Sequence, residues 1–260
     1  MNTRSKKSAS HSTIFHTVVF DRSGSMASLQ GSHIQQLRNY LIEQKKAAES
    51  GNKIKITVII FDDVKATWID NIDVLDMKIP TEEEVYLRAS PRGMTRMIDT
   101  VIEAVTKQKH DIEKYRESLP LMVRELDPSI QRWLYIISDG YDNKSKHTSN
   151  EMKEIMEAER ETGLGTIFLA ANQGDAQDLA DHLGLNRDTA LTFGADRTTS
   201  SLAMGYANDM ARQISSEGHP PPRGFSAMQR SSSLPDPEPL SGELLPPPSP
   251  LSLYRHIIFR

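Results

Sequence analysis

The sequence predicts an α/β protein: a three-layer, doubly wound, mostly parallel sheet with one antiparallel edge strand. Three observations predict it. Short apolar runs alternate with helical patterns along most of the chain, the mark of strand–helix–strand units. Several of those runs are continuously apolar instead of alternating, as strands buried on both faces must be. One pair of runs, Ile54–Phe61 and Val64–Ile69, is separated only by Asp62-Asp63, too little chain for a helical crossover. The second run therefore returns antiparallel, as an edge strand.

In chain order, the first strand ends in Val18-Val19-Phe20-Asp21, and a tight turn, Arg22-Ser23-Gly24-Ser25, follows it. Leu29–Glu49 reads as a helix with Ile34, Leu37 and Leu41 on one face, stopped by Gly51-Asn52. After the strand pair, residues 73–90 read as a long loop with a helical turn near Glu82–Val85. Thr95 opens a strong helix, because Ile98, Val101, Ile102 and Val105 recur at i, i+3, i+4 and i+7. From His110 to Gln131 that helix extends or a further one forms, and Pro120 and Pro128 interrupt it. Trp133–Ile137 is a strand ending in Ser138-Asp139-Gly140, and Asp142-Asn143 just beyond reads as solvated loop. Helix Asn150–Thr162, strand Thr166–Ala171, helix Ala176–Leu183, strand Thr189–Phe193 and helix Thr199–Ile214 complete the domain. Asn172–Asp175 reads as a plain loop; the alternative, from its place at a strand's carboxyl end, is that it lines a binding face.

Composition limits the function. The net charge of −4 gives no general attraction to nucleic acid or an anionic membrane. Without cysteine there is no disulfide framework, thiolate zinc site or thiol nucleophile. No apolar run approaches bilayer length. Met1–Ser12 is polar, with Arg4, Lys6 and Lys7 and no apolar run after it, which argues against a secretory signal; the expected setting is cytoplasmic. The expected organisation is a flexible N-terminus over 1–13, one domain over 14–216, and a disordered tail over 217–260. That tail holds ten of the fourteen prolines.

The chemistry gathers at Asp21, Ser23 and Ser25, with Thr95 opening a helix and Asp139 ending a strand. A carboxylate and hydroxyls at strand carboxyl ends suit a hard divalent cation. This set, Asp-x-Ser-x-Ser, then threonine, then aspartate before glycine, resembles the metal-ion-dependent adhesion site (MIDAS) of the von Willebrand factor type A (VWA) domain. Asp21-Arg22-Ser23-Gly24-Ser25-Met26, Phe61-Asp62-Asp63, Arg92-Gly93-Met94-Thr95 and Phe168–Gln173 are similar to small stand-alone VWA proteins of bacteria, phages and some eukaryotes. Gly174 before Asp175 and the proline-rich tail depart from that pattern.

The resemblance implies a Mg2+ site, open also to Mn2+ or Ca2+. Ser23, Ser25 and Thr95 would be direct ligands, and Asp21 and Asp139 would act through water or the serine hydroxyls. It implies a non-enzymatic protein–protein interaction module whose ion takes a carboxylate from a partner protein. Two other classes compete with it. A haloacid dehalogenase-like, magnesium-dependent phosphohydrolase needs a second carboxylate two residues after the first, where Ser23 stands. An RNA-associated VWA protein needs an RNA-binding module, and neither such a module nor a suitable charge is visible. In the tail, Arg230-Ser231-Ser232-Ser233-Leu234-Pro235 resembles the phosphoserine motif read by 14-3-3 proteins, with Ser233 modified. Pro247-Pro248-Ser249-Pro250 suits a proline-motif reader.

Overall fold

Strand β1 (Thr13–Asp21) is buried at all nine positions, and only a central strand covered on both faces can be. The computed structural model describes residues 12–49, 51–126, 128–139, 142–171, 175–194, 196–217 and 224–234. β1 pairs in parallel with β2 (Lys53–Phe61) on one side and with β4 (Ile130–Ser138) on the other. β5 (Leu164–Ala171) and β6 (Ala190–Phe193) extend the parallel sheet beyond β4. β3 (Lys65–Asp73) pairs antiparallel with β2, as the short Asp62-Asp63 connection requires. The order is β3-β2-β1-β4-β5-β6. It runs outward in one direction from β1 and then in the other from β4. The carboxyl ends of β1 and β4 therefore flank the topological switch point, where open α/β sheets bind ligands.

Side chains alternate across the sheet and divide the core in two. One face sets Val18, Phe20, Ile56, Val58, Ile60 and Tyr135 against α1 (Ser32–Ala48) and α7 (Arg197–Glu217), through Leu37, Tyr40, Ala207 and Ile214. The other face sets Val19, Ile59, Phe61, Ile136 and Phe168 against α3 (Met97–Ser118), α5 (Ser149–Glu161) and α6 (Ala176–His182). Two buried polar residues pin the layers. His16 on β1 is within 2.9 Å of both Tyr40 Oη on α1 and Ser215 Oγ on α7. Gln108 on α3 donates to the carbonyls of Phe15 and Trp133.

The structure departs from the sequence expectations at several places along the chain. β3 continues to Asp73, past the expected end at Ile69, with shifts in its register against β2 and a left-handed Asn71. The expected helical turn at 82–85 is a full helix, α2 (Glu82–Ala89), started by a capping box between Thr81 and Glu84. The helix expected to open at Thr95 begins at Met97, leaving Thr95 in the preceding loop, and ends at Ser118; Pro120 starts a separate short helix, α4 (Leu121–Glu125). Ser12 and Thr13, assigned to the flexible N-terminus, are already buried.

The largest correction concerns the tail. α7 runs to Glu217, and residues 224–234 lie against the domain with a short helix, α8 (Ala227–Ser232). Phe225 is 6 % exposed and joins the core on the α1–α7 face, and Arg230 and Ser233 bond to carbonyls at the β6 edge. Residues 235–260, including the proline motif, lie outside the described residues, as do residues 1–11.

Candidate metal centre

Asp21 is the last residue of β1 and fully buried. One carboxylate oxygen accepts the Ser23 N–H at 2.6 Å, which folds the chain back into the turn. The other accepts the Ser138 hydroxyl at 2.6 Å, joining the ends of β1 and β4. Ser23 is buried and Ser25 exposed, with their hydroxyls 3.1 Å apart at the head of a 3₁₀ turn, Gly24–Leu29. Asp139 directly follows β4 and is buried. Gly140 and the loop residues 172–174 lie outside the described residues; Asp175, the last of that loop, caps α6 by accepting the Gln177 N–H.

Thr95 is buried in the loop before α3, and that loop is tied to the β1 turn. The Gly24 N–H donates to Gly93 O at 3.1 Å, and the Arg92 N–H to Arg22 O at 2.7 Å. Gly93 has φ +68, a left-handed conformation that favours glycine, and a Cβ there would displace the Asp63 carboxylate. The structure thus gathers Asp21, Ser23, Ser25, Thr95 and Asp139 at one end of the sheet, with Thr95 joined to the others through backbone contacts.

Sequence reasoning missed the groups that hold these five. Asn143, read as solvated loop, clasps Thr95 from both sides: its side-chain oxygen accepts the Thr95 N–H at 3.0 Å, and its own N–H donates to Thr95 O at 3.1 Å. Asp142 accepts the Ile98 N–H at 2.8 Å and so caps α3. Its contacts with the Lys144 and Ser145 N–H groups form an Asx turn, a signal present in Asp142-Asn143-Lys144-Ser145. Buried Asp62 accepts from Arg22 at 2.9 Å and Arg92 at 2.7 Å. Burial pushes the Asp62 carboxyl up, but hydrogen bonds from Arg92 and the Val64 N–H and the charges of both arginines outweigh it and hold the group below its ordinary range.

Asp21 behaves in the opposite way. Burial pushes its pKa up to about 6, against the hydrogen bonds from Ser138 and Ser23, and Asp139 adds to the rise. Among the described residues no lysine or arginine ion-pairs with Asp21. Two neighbouring buried carboxylates with hydroxyls beside them form a hard-oxygen donor set that fits a divalent cation retaining some waters. No cluster of three His, Cys, Asp or Glu side chains able to hold a metal occurs among the described residues, so any site here is built with hydroxyls.

No protein-family model matches the sequence, and no curated protein matches it. Solved structures do. The PilB minor pilin of Streptococcus sanguinis is 18 % identical, with a TM-score of 0.51 over 81 % of this chain and 64 % of that one. A von Willebrand factor type A structure from Catenulispora acidiphila is 12 % identical, with a TM-score of 0.48 over 79 % of this chain and 42 % of that one. Proximal thread matrix protein 1 from the mussel byssus, solved with a zinc-occupied MIDAS motif, is 16 % identical, with a TM-score of 0.48 over 78 % of this chain and 46 % of that one. The chain spans less than half the length of the latter two. At these identities the likeness is one of fold. With the strand order and the antiparallel edge, the chain shares with the minor pilin a doubly wound, mostly parallel α/β fold. No helix among the described residues is long and apolar enough to cross a membrane.

Proposed function

We propose that this chain is a divalent-metal-dependent protein-interaction module. Asp21, Ser23, Ser25, Thr95 and Asp139 would hold Mg2+, or Mn2+ or Ca2+ in its place. The observation that carries the reading is the meeting of two buried carboxylates, Asp21 and Asp139, with serine hydroxyls at the switch point of the sheet. When bound, such an ion offers an open position to a carboxylate from a partner protein. The chain's own residues prepare the place: Asp21 fixes the turn that presents Ser23 and Ser25, and Asn143 fixes Thr95. Arg92, 63 % exposed on the adjoining loop, adds a cation suited to an acidic partner. Ser23 stands where a phosphohydrolase of the haloacid dehalogenase kind needs its second carboxylate, and the net charge of −4 does not favour RNA.

Titration calorimetry with Mg2+ or Mn2+ tests the reading. One site is expected in the native chain and none in the Ser23→Ala/Ser25→Ala double variant. Equal binding by both would sink the assignment. The partner step has its own test: a chelated, still folded protein should no longer capture an acidic partner.

A further inference from the structure

Residues 224–234 cover the free edge of β6. In a sheet, the outward carbonyls of an edge strand are open to pairing with another chain. Here Ser233 Oγ lies 2.7 Å from Thr192 O, and the Arg230 guanidinium donates to Ala190 O and, at 2.8 Å, to Asp188 O. The Phe225 N–H donates to Asp188 O at 2.9 Å, and the Gly194 N–H returns a bond to Ser233 O at 3.2 Å. A side chain at Gly224 would overlap the Asp188 backbone, so the approach is close. Yet the attachment is thin. Phe225 and Ser233 are the only buried residues of the segment, and Met228 is 78 % exposed.

We propose that residues 224–234 are a releasable strap and that Ser233 is its lock, a phosphate-accepting serine. Arg230 stands three residues before Ser233, a basic spacing that arginine-directed serine kinases read. Ser233 is fully buried in the docked strap, so a kinase reaches it only after release. In the transfer, Ser233 Oγ bonds to the γ-phosphorus of the kinase's ATP, its proton passes to the kinase's base, and ADP leaves. The phosphate brings nearly two negative charges and no donor at physiological pH. Returning would bury it against the carbonyl oxygens of Thr192 and Arg230, 2.7 and 2.9 Å from the present hydroxyl. Modification therefore traps the released form and leaves the β6 edge uncovered. The inference is independent of the metal site.

The test treats the full chain with ATP and an arginine-directed kinase, maps the sites by mass spectrometry, and follows hydrogen exchange over residues 190–194 and 225–234. Phosphorylation of Ser233 should be at least about tenfold faster in Phe225→Ala than in the native chain, because the open form is more populated. Phosphorylated protein and Ser233→Glu should both lose protection at 190–194, and Ser233→Ala should keep most of it. Equal Ser233 rates in the two chains, no Ser233 phosphate even in Phe225→Ala, or unchanged protection after modification would each overturn the proposal. Global unfolding of Phe225→Ala would also overturn it, by showing that the strap is an integral part of the fold.

Discussion

Around β1 and β4 the loops are joined by buried charges and backbone bonds, whereas β6 at the far edge is covered by a strap with one buried apolar side chain. At the first region Asp62 binds two arginines, Asp21 links two strand ends, and Asn143 clasps Thr95. At the second, Phe225 supplies the apolar burial, and Arg230 and Ser233 supply hydrogen bonds to carbonyls at the β6 edge. The difference separates two tasks. A site that positions several oxygens needs supports that allow one geometry. A cover over an edge needs only enough attachment to be the majority state, and such segments open at low cost.

The largest expected effect breaks the first region. Asp62→Ala leaves Arg22 buried without its carboxylate, and losing one partner of a buried pair costs about 3–5 kcal/mol. The urea midpoint should fall accordingly at an unchanged m value. A loss below about 1 kcal/mol would mean that the arginine–aspartate contacts do not hold the rim.

Acid should weaken both regions together, because β1 and Phe225 pack into the same face of the core. Burial lowers the pKa of His16 to about 3 and that of His33 to about 4. The unfolded chain, near 6.5, therefore binds more protons below that pH, and stability rises with pH through the window. The contribution is complete above about pH 6.5 and is lost as pH falls towards the folded values, at up to about 1.4 kcal/mol per unit for each histidine. Neither ring nitrogen of His33 has a hydrogen-bond partner among the described residues, so His33→Leu should lower the slope by up to about 1.4 kcal/mol per pH unit. An unchanged slope would place the acid sensitivity elsewhere.

A pair of truncations sharpens the contrast at the second region. Ending the chain after Leu234 should leave the melting temperature nearly unchanged. Ending it after Glu217 removes Phe225, whose burial is worth about 1.5–3 kcal/mol, or roughly 3–12 °C in a domain of this size. Equal melting temperatures for the two would show that the strap adds nothing to the folded state.

The same contrast governs what the sequence made legible. β1 is readable because a strand covered on both faces needs a continuous apolar run. The five candidate ligands are readable because hydroxyls and carboxylates at strand ends form a pattern with fixed order. Ser138, Asn143 and Asp62 act through contacts between distant loops, and no local periodicity marks such contacts. The strap was hidden for another reason: prolines and serines dominate the composition around Phe225, and a single buried ring decides the packing.

The smallest effect on stability is expected at Asn143, and it tests whether a clasp at the rim serves the site or only the fold. Asn143→Ala removes the acceptor of the Thr95 N–H and keeps the return bond from the backbone of residue 143 to Thr95 O. The stability loss should be about 1 kcal/mol, the usual net worth of one such bond. The effect on the ion should be larger in proportion. Groups that orient a metal's ligands typically change its affinity by about tenfold or more when removed. Calorimetry should therefore show Mg2+ or Mn2+ binding weakened by about tenfold, with Asn143→Asp, which retains an acceptor oxygen, nearer to the native value. An unchanged affinity beside the expected stability loss would assign Asn143 to the fold alone, and would leave the position of Thr95 to its contacts with the β1 turn.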